Sequence, residues 1–477
     1  MPDIPYNKTK IVATIGPASS SPEVLQRMIY AGVDVCRLNL SHGDDSVHAG
    51  VIHTIRQLNL EKNFQTSILV DLQGPKLRIG EVENNSILLE NGSEVVFSMH
   101  ECVGTPEKLY MNYQDFAKDV AIDDKILIDD GKIVLKVIST NRIDEVHAVV
   151  ESGGKLSGRK GVNLPKTKIS LPSLTPKDLH DLDFALEQNV DWIGLSFVRS
   201  AHDIIDLKQR IQKAGRKCRV IAKIEKPEAL AEIDSIIRET DALMVARGDL
   251  GVELPMEEVP LIQKMLVKKC IRASKPVIIA TQMMESMINN YTPTRAEVND
   301  VANSVIDGAD AVMLSGETSV GLYPVRVVEH MRMIISKVES QGYHYNRNLP
   351  PDVMSETFIS DSVCFNACTM ASQVGAKAIV GMTRSGYTAY KVAAQRPNTD
   401  IFIFTDRREM LNVLSLVWGV RGFYYDKQVT TDETINDLQE ILKKQKLVKT
   451  NDIIINLAAV PLSDQGRTNM IKLGRVR

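Results

Sequence analysis

The sequence predicts an α/β protein: a closed (β/α)8 TIM barrel with an inserted all-β lid domain, followed by a C-terminal α/β domain. Three observations carry the prediction. Eight short apolar runs each end in polar or glycine-rich residues and are followed by an amphipathic stretch. Strands alternating with helices argue for a parallel sheet, and eight such units argue for closure. One interval, Lys76 to about Leu171, breaks the rhythm with short strands and turn residues, and after about Gln341 the strand–helix alternation restarts.

The runs, in order, are KIVATIG (residues 10–16), VDVCRLNLS (33–41), SILVDLQG (67–74), WIGLSFV (192–198), RVIAKIE (219–225), ALMVARGD (242–249), PVIIATQM (276–283) and AVMLSGE (311–317). Helix signals fall between them. Ser21 followed by Pro22 sets a cap residue and then a proline before VLQRMIYAG. Thr292-Pro293-Thr294 repeats the signal before a stretch in which Ala296, Val298, Val301, Ala302 and Val305 recur at helical spacing. Within the interruption, SILLENG, SEVVFS, KILIDDGKIVLKVI and VHAVVESGGKL read as strands, with hairpin-like turns at Asn91-Gly92 and Asp130-Gly131. An all-β module inserted after the third barrel strand, on the catalytic rim, reads as a lid. The C-terminal block offers strands at IVGMT (379–383), IFIFTD (401–406) and DIIINLA (452–458), after the polar, proline-bearing linker YHYNRNLPPDVMSE. The expected units are 1–75 with 171–341 for the barrel, 76–170 for the lid and 342–477 for the C-terminal domain.

Composition narrows the function classes. A formal net charge of −3 offers no basic field for nucleic acid. The start MPDIPYNKTK has no apolar core like that of a leader, and no apolar run is long enough to span a bilayer, so no membrane is expected and the cytoplasm is the expected compartment. The six cysteines are scattered without a CxxC pair and the nine histidines without HExxH, against a zinc site or a disulfide scaffold. No GxxxxGK[ST] occurs, so a nucleotide would not be held by a P-loop.

In such barrels the active site lies at the C-terminal strand ends. Side chains two apart on a strand share a face, which groups Arg37, Asn39 and Ser41, then Lys223 with Glu225, then Arg247 with Asp249. Arg78 adds a further cation. Two carboxylates, Glu225 and Asp249, with substrate oxygens and water completing an octahedron, suit Mg²⁺. The surrounding cations suit a phosphorylated, anionic substrate, and Gly248 lets it approach the backbone. The competing reading is an ion-pair network that only stabilises the barrel rim. Ser385-Gly386, in TRSGYT, could hold a phosphate at a helix N-terminus or be a plain tight turn.

The matching stretches KIVATIGP, CRLNLSHG, DLQGPKLRIG, RKGVNLP, AKIEKPE, MVARGDLGVELP, ATQMMESM, PTRAEVNDVANSVIDGADAVMLSGETSVGLYPV and TRSGYTA, in that order, resemble the pyruvate kinase family over nearly the whole chain. The resemblance implies phosphoryl transfer from phosphoenolpyruvate to ADP, giving pyruvate and ATP. It implies that Glu225 and Asp249 bind Mg²⁺, with Mn²⁺ a possible substitute, and that Lys223 and Arg37 lie against the phosphoryl group. Gly248, Asp249 and Thr281 would meet the rest of the substrate. Thr281 is either a proton relay to the enolate or a simple hydrogen-bonding group. Asn39, Ser41, His42, Arg78 and Lys160 would face ADP and ATP. Family members that need K⁺ hold it at positions matching Asn39, Ser41, Asp71 and a threonine. Here that threonine position is Leu72, and Lys76 stands where those members have glutamate, so K⁺ is not expected to be required. Thr383, Arg384, Ser385, Gly386 and Thr388 match the family's effector phosphate loop in outline, and DQGRTNM (464–470) resembles the loop that closes over it. A phosphate-bearing allosteric effector and a homotetramer are the expected partners. A metal-dependent lyase or aldolase and a non-catalytic metabolite sensor are the competing functions.

Overall fold

The computed structural model describes residues 6–165, 167–342, 345–427, 429–460 and 467–477. Eight parallel strands close into a barrel in sequence order: Lys10–Thr14, Val35–Asn39, Ser67–Asp71, Trp192–Leu195, Arg219–Ile224, Ala242–Ala246, Val277–Ala280 and Ala311–Leu314. The first pairs with the last, Lys10 opposite Ala311 and Ala13 opposite Leu314, so no barrel edge is left open. Alternation sorts each strand between two cores. Val12, Val35, Leu69, Trp192, Ile221 and Met244 fill the lumen. Ile11, Cys36, Ile68, Ile193 and Ala222 pack outward with the helix shell.

The helix signals hold, with one refinement. Ser21 caps Pro22–Ala31 by accepting from the Val24 amide. In the second case the cap is Thr294, which forms a capping box with Glu297 at the start of Arg295–Asp307, so Pro293 precedes the cap. On that helix Val301 and Val305 are buried, whereas Val298 is exposed. The sixth run differs further. Its strand stops at Ala246, and Arg247–Glu253 is helical. Strand alternation therefore cannot place Arg247 and Asp249 on one face.

The interruption folds as two sheets. Ser86–Leu89 pairs with Gly154–Ser157, and six further strands form a curled sheet from Val162–Asn163 to Lys108–Tyr110. The Asp130-Gly131 turn is a true hairpin, with Ile128 opposite Ile133. The Asn91-Gly92 turn is not. Glu94–Ser98 leaves it to pair with Glu145–Ser152. A turn dipeptide sets a local reversal, and the edge the outgoing strand meets is a tertiary choice.

The C-terminal sheet has the order Val420–Tyr424, Asp400–Thr405, Ala378–Met382, Ile453–Ala458 and Met470–Arg475, the last antiparallel. This domain closes the N-terminal end of the barrel. Arg396, 1% exposed, pairs with Asp310 at 2.8 Å, and Lys8 Nζ donates to the carbonyls of Pro397, Asn398 and Thr399. The opposite, C-terminal strand ends are left to the lid. Among the described residues no helix is long and apolar enough to cross a membrane.

Candidate active site

The top layer of the lumen is polar. Asp71 and Lys223 end the inward-facing series of their strands, Arg37 lies one inward position short of Asn39 on its own, and all three are buried. Asp71 Oδ2 accepts from Arg37 Nε at 3.0 Å and Nη2 at 2.5 Å, and lies 3.1 Å from Lys223 Nζ. Arg37 Nη1 also donates to Thr14 Oγ1 at 3.0 Å. Lys223 Nζ lies 2.8 Å from Ser196 Oγ and 2.8 Å from Glu225 Oε1. The other Glu225 oxygen accepts from the Phe197 amide at 2.8 Å. On the neighbouring strand, a Cβ at Gly194 would sit 2.1 Å from Asp71 Oδ1, so only glycine admits this carboxylate.

Asp71 and Lys223 hold each other ionised. Burial would raise the Asp71 pKa, but Lys223 and Arg37 overcome it and push it below the usual carboxylate range. Burial would lower the Lys223 pKa, but Asp71 and Glu225 raise it, so Lys223 stays a cation. Glu225 is pushed up by burial, with Lys223 opposing and the nearby Asp249 charge reinforcing.

The Arg247-Gly248-Asp249 turn now divides its labour. Arg247 swings out of the ring, contrary to the strand reading. Its guanidinium makes two 2.7 Å bonds to Asp300 and donates to the Thr281 carbonyl at 2.8 Å. Thr281 needs that brace: its φ of 69° lies in the left-handed region, costly for a β-branched residue. The Gly248 amide donates to Thr281 Oγ1 at 2.7 Å, and a Cβ at 248 would come 3.2 Å from that oxygen. Asp249, half-buried, makes no side-chain hydrogen bond or ion pair with a described residue, yet its charge bears on both Lys223 and Glu225.

This donor set fits a hard divalent cation. One carboxylate is unpartnered, the other retains acceptor capacity, and their mutual repulsion would be relieved by a shared positive ion. Among the described residues no group of three or more His, Cys, Asp or Glu side chains could hold a metal. A two-carboxylate site that borrows substrate oxygens matches Mg²⁺ better than zinc.

Further cations from the barrel and the start of the lid lie around His42. The His42 pKa is lowered by burial and then by Arg78, Lys76 and Arg37, which places the three cations around it. Lys76 makes no side-chain hydrogen bond or ion pair with a described residue. Arg78 Nη1 donates to the Arg159 carbonyl at 2.8 Å. Asn39 Oδ1 accepts from the Ser41 amide at 3.2 Å. Lys160 is turned to Asp129 at 2.8 Å within the lid.

A family model described as "Pyruvate kinase, barrel domain" matches residues 6–328, and one described as "Pyruvate kinase, alpha/beta domain" matches residues 361–473. The pyruvate kinase of Geobacillus stearothermophilus is 43% identical over 472 residues, covering 98% of this chain and 80% of that protein. The pyruvate kinase of Staphylococcus epidermidis is 41% identical over 467 residues, covering 98% and 80%. The crystal structure of a pyruvate kinase from Cryptosporidium parvum superposes with a TM-score of 0.92 at 33% identity, covering 99% of this chain and 96% of that one. The chain belongs to the pyruvate kinase family.

The Thr383–Thr388 segment forms a tight turn that leads into a helix. Thr383 Oγ1 accepts from the Gly386 amide at 3.0 Å, and Gly386, at φ 88°, caps the helix Tyr387–Ala394. Arg384 pairs with Asp406 at 2.9 Å, Thr388 Oγ1 meets Thr468 Oγ1 at 2.6 Å, and Tyr387 OH bonds Asp361. The Ser385 carbonyl accepts from Arg219, at the base of the barrel strand that carries Lys223. Of the closing loop, residues 464–466 lie outside the described residues. Sequence reasoning from strand alternation passed over two active-site groups. Asp71 entered only through the family's K⁺ positions, and Ser196 not at all. The same period-two rule, applied to Leu69/Asp71 and Gly194/Ser196, finds both.

Proposed function

We propose that this chain transfers the phosphoryl group of phosphoenolpyruvate to ADP, giving pyruvate and ATP in the last step of glycolysis. The observation that carries the reading is the Lys223 ammonium held between Asp71 and Glu225, facing the unpartnered Asp249 at a barrel mouth beneath a lid. Phosphoryl transfer asks a protein for positioning and charge neutralisation more than for covalent chemistry. Lys223, kept cationic, stabilises the group in flight while the bond from phosphorus to the enol oxygen breaks and the bond to a terminal ADP oxygen forms. Arg37, fixed by Asp71 and Thr14, orients the phosphoryl oxygens. The Gly248 and Thr281 backbone positions the substrate carboxylate, and Thr281 Oγ1, which donates to the Ala280 carbonyl at 2.6 Å, would have to turn to relay the proton that the enolate methylene takes up, and otherwise serves as a hydrogen-bonding group. Mg²⁺, or Mn²⁺ in its place, held by Glu225 and Asp249, would neutralise charge on the phosphoryl group and the enolate oxygen. Asn39, Ser41, His42, Arg78 and Lys160 face the nucleotide from the barrel and the lid.

The monovalent charge that Asn39, Ser41 and Asp71 accept as K⁺ in relatives comes here from Lys76, whose ammonium has no hydrogen-bond or ion-pair partner among the described residues, while Leu72 supplies no ligand oxygen. The barrel of 1–75 and 171–341 carries the chemistry, 76–170 covers the nucleotide, and 342–477 responds to a phosphate-bearing effector at the Thr383–Thr388 loop. Exposed Tyr291, Val298, Val320 and Leu322 support burial against further copies, as a homotetramer. The assay is pyruvate formation from phosphoenolpyruvate and ADP with Mg²⁺ in buffer free of K⁺ and Na⁺. Full activity is expected. Strong activation by KCl would sink the role given to Lys76, and no ADP-dependent pyruvate under either condition would sink the function. The same assay, with fructose phosphates and nucleoside monophosphates added singly, tests the effector through the phosphoenolpyruvate saturation curve.

A further inference from the structure

One buried carboxylate joins the lid to both metal-bearing elements. Glu253 ends the helix Arg247–Glu253, and its side chain is 1% exposed. Its Oε1 accepts from Lys226 Nζ at 2.6 Å and from Asn163 Nδ2 at 2.8 Å. Lys226 directly follows Glu225, and Asn163 ends the lid strand Val162–Asn163. Its Oε2 is buried and accepts nothing from a described residue. The lid touches the same helix a second time. A Cβ at Gly131, in the lid hairpin turn, would lie 4.0 Å from Val252 Cγ1. The helix that presents Gly248 and Asp249 is therefore the seat on which the lid rests.

The geometry points to Glu253 as a positioning residue that couples lid closure to the placement of Asp249. The inference rests on the kinase reading above. Residues 249 and 253 are one helical turn apart and share a face, so a pull on the Glu253 end is felt at Asp249. A lid that swings away gives up the Asn163–Glu253 bond and leaves the carboxylate to Lys226 alone. A lid that settles restores it, and Oε2 has capacity for one more donor. The bond is charge-assisted and part-buried, which strengthens it over an exposed one. The 2.6 Å ion pair with Lys226 fixes the Glu253 carboxylate, so the lid meets a pre-set acceptor.

The test uses full-length protein with Asn163→Ala, which leaves the buried Lys226–Glu253 pair intact, and Asn163→Asp, which sets a second carboxylate against it. Two rates are compared. One is steady-state turnover. The other is exchange of pyruvate methyl protons with D2O in Mg²⁺ and inorganic phosphate, followed by NMR, which calls on barrel groups alone. For Asn163→Ala, kcat and the exchange rate are both expected to fall about 10- to 100-fold, with the Mg²⁺ concentration for half-maximal exchange raised, because both rates need Asp249 in place at the metal. Asn163→Asp should fall further in both, with the same rise in the Mg²⁺ requirement. Losses at an unchanged Mg²⁺ requirement would overturn the coupling, because a general disturbance of the site lowers both rates without weakening the metal, and so would unchanged turnover in both variants. Wild-type protein that forms no pyruvate would instead overturn the kinase reading, and the coupling with it.

Discussion

At the scale of single residues, the site works by opposing charges held close. Lys223 touches Asp71 and Glu225, and Arg37 shares the same Asp71 oxygen. Replacing Lys223 by a neutral residue takes the buried Glu225 from its ion-pair partner, whereas Asp71 keeps Arg37. His42 shows the same field from the other side. Burial and the cations Arg78, Lys76 and Arg37 all disfavour its protonated form. In the ligand-free protein His42 should titrate below the ordinary histidine value, and ADP phosphates brought among these cations should move the titration upward. A ¹H–¹⁵N NMR titration of the ring, with and without ADP, reads both, and a free-state value above 6.5 would contradict the arrangement. Much of this was legible from alternation along the strands, which paired Lys223 with Glu225 and aligned Arg37 with Asn39. Arg247 was not, because alternation ends where the chain turns helical, and its partner Asp300 lies on a helix 53 residues away.

At the scale of elements, the lid is held at its roots by capping chemistry. Asp178, at the third position of the helix Pro176–Glu187, accepts from the Thr175 amide at 2.8 Å and from the Gly74 amide at 2.9 Å. One side chain thus caps a barrel helix and fixes the loop that leads from the third barrel strand into the lid. On the return path, Arg199 donates to the Ile169 and Leu171 carbonyls, at 2.6 Å each. Asp178→Ala should cost about 1–2 kcal/mol from the lost cap alone. It should also speed amide exchange at Gly74 ahead of the rest of the barrel, measurable by hydrogen–deuterium exchange with mass spectrometry. Exchange at Gly74 no faster than in wild type would remove Asp178 from the hinge. The capping signal at Ser21 could be read in advance because it is local, and the second was read two residues early, at Thr292 in place of Thr294. The two-sheet division of the lid could not, because Asn91-Gly92 and Asp130-Gly131 look alike as turns and differ only in which distant strand lies alongside.

At the scale of the whole molecule, the barrel is closed by different domains at its two ends. The C-terminal domain seals the base through Arg396, whose guanidinium lies 4.9 Å from the Trp418 ring centroid and pairs with Asp310, while the lid covers the mouth. Arg396→Met should destabilise the protein by about 3 kcal/mol in urea unfolding, because it leaves the Asp310 charge buried without its partner. Burial already raises the Asp310 pKa and Arg396 opposes that rise, so the defect should shrink as pH falls and Asp310 takes up a proton. An equal defect at every pH would assign the loss to packing. The eight-unit period made the barrel legible, whereas its order against the other domains depends on pairs such as Lys8 with residues 397–399, which no local pattern announces. The central claim is that Lys223 acts on the group in transfer and not on the bound substrate. The most direct measurement is Lys223→Met, with phosphoenolpyruvate affinity and turnover both determined in Mg²⁺. The account predicts affinity within a few-fold of wild type and turnover lower by about a thousandfold. Equal losses of affinity and turnover would contradict it.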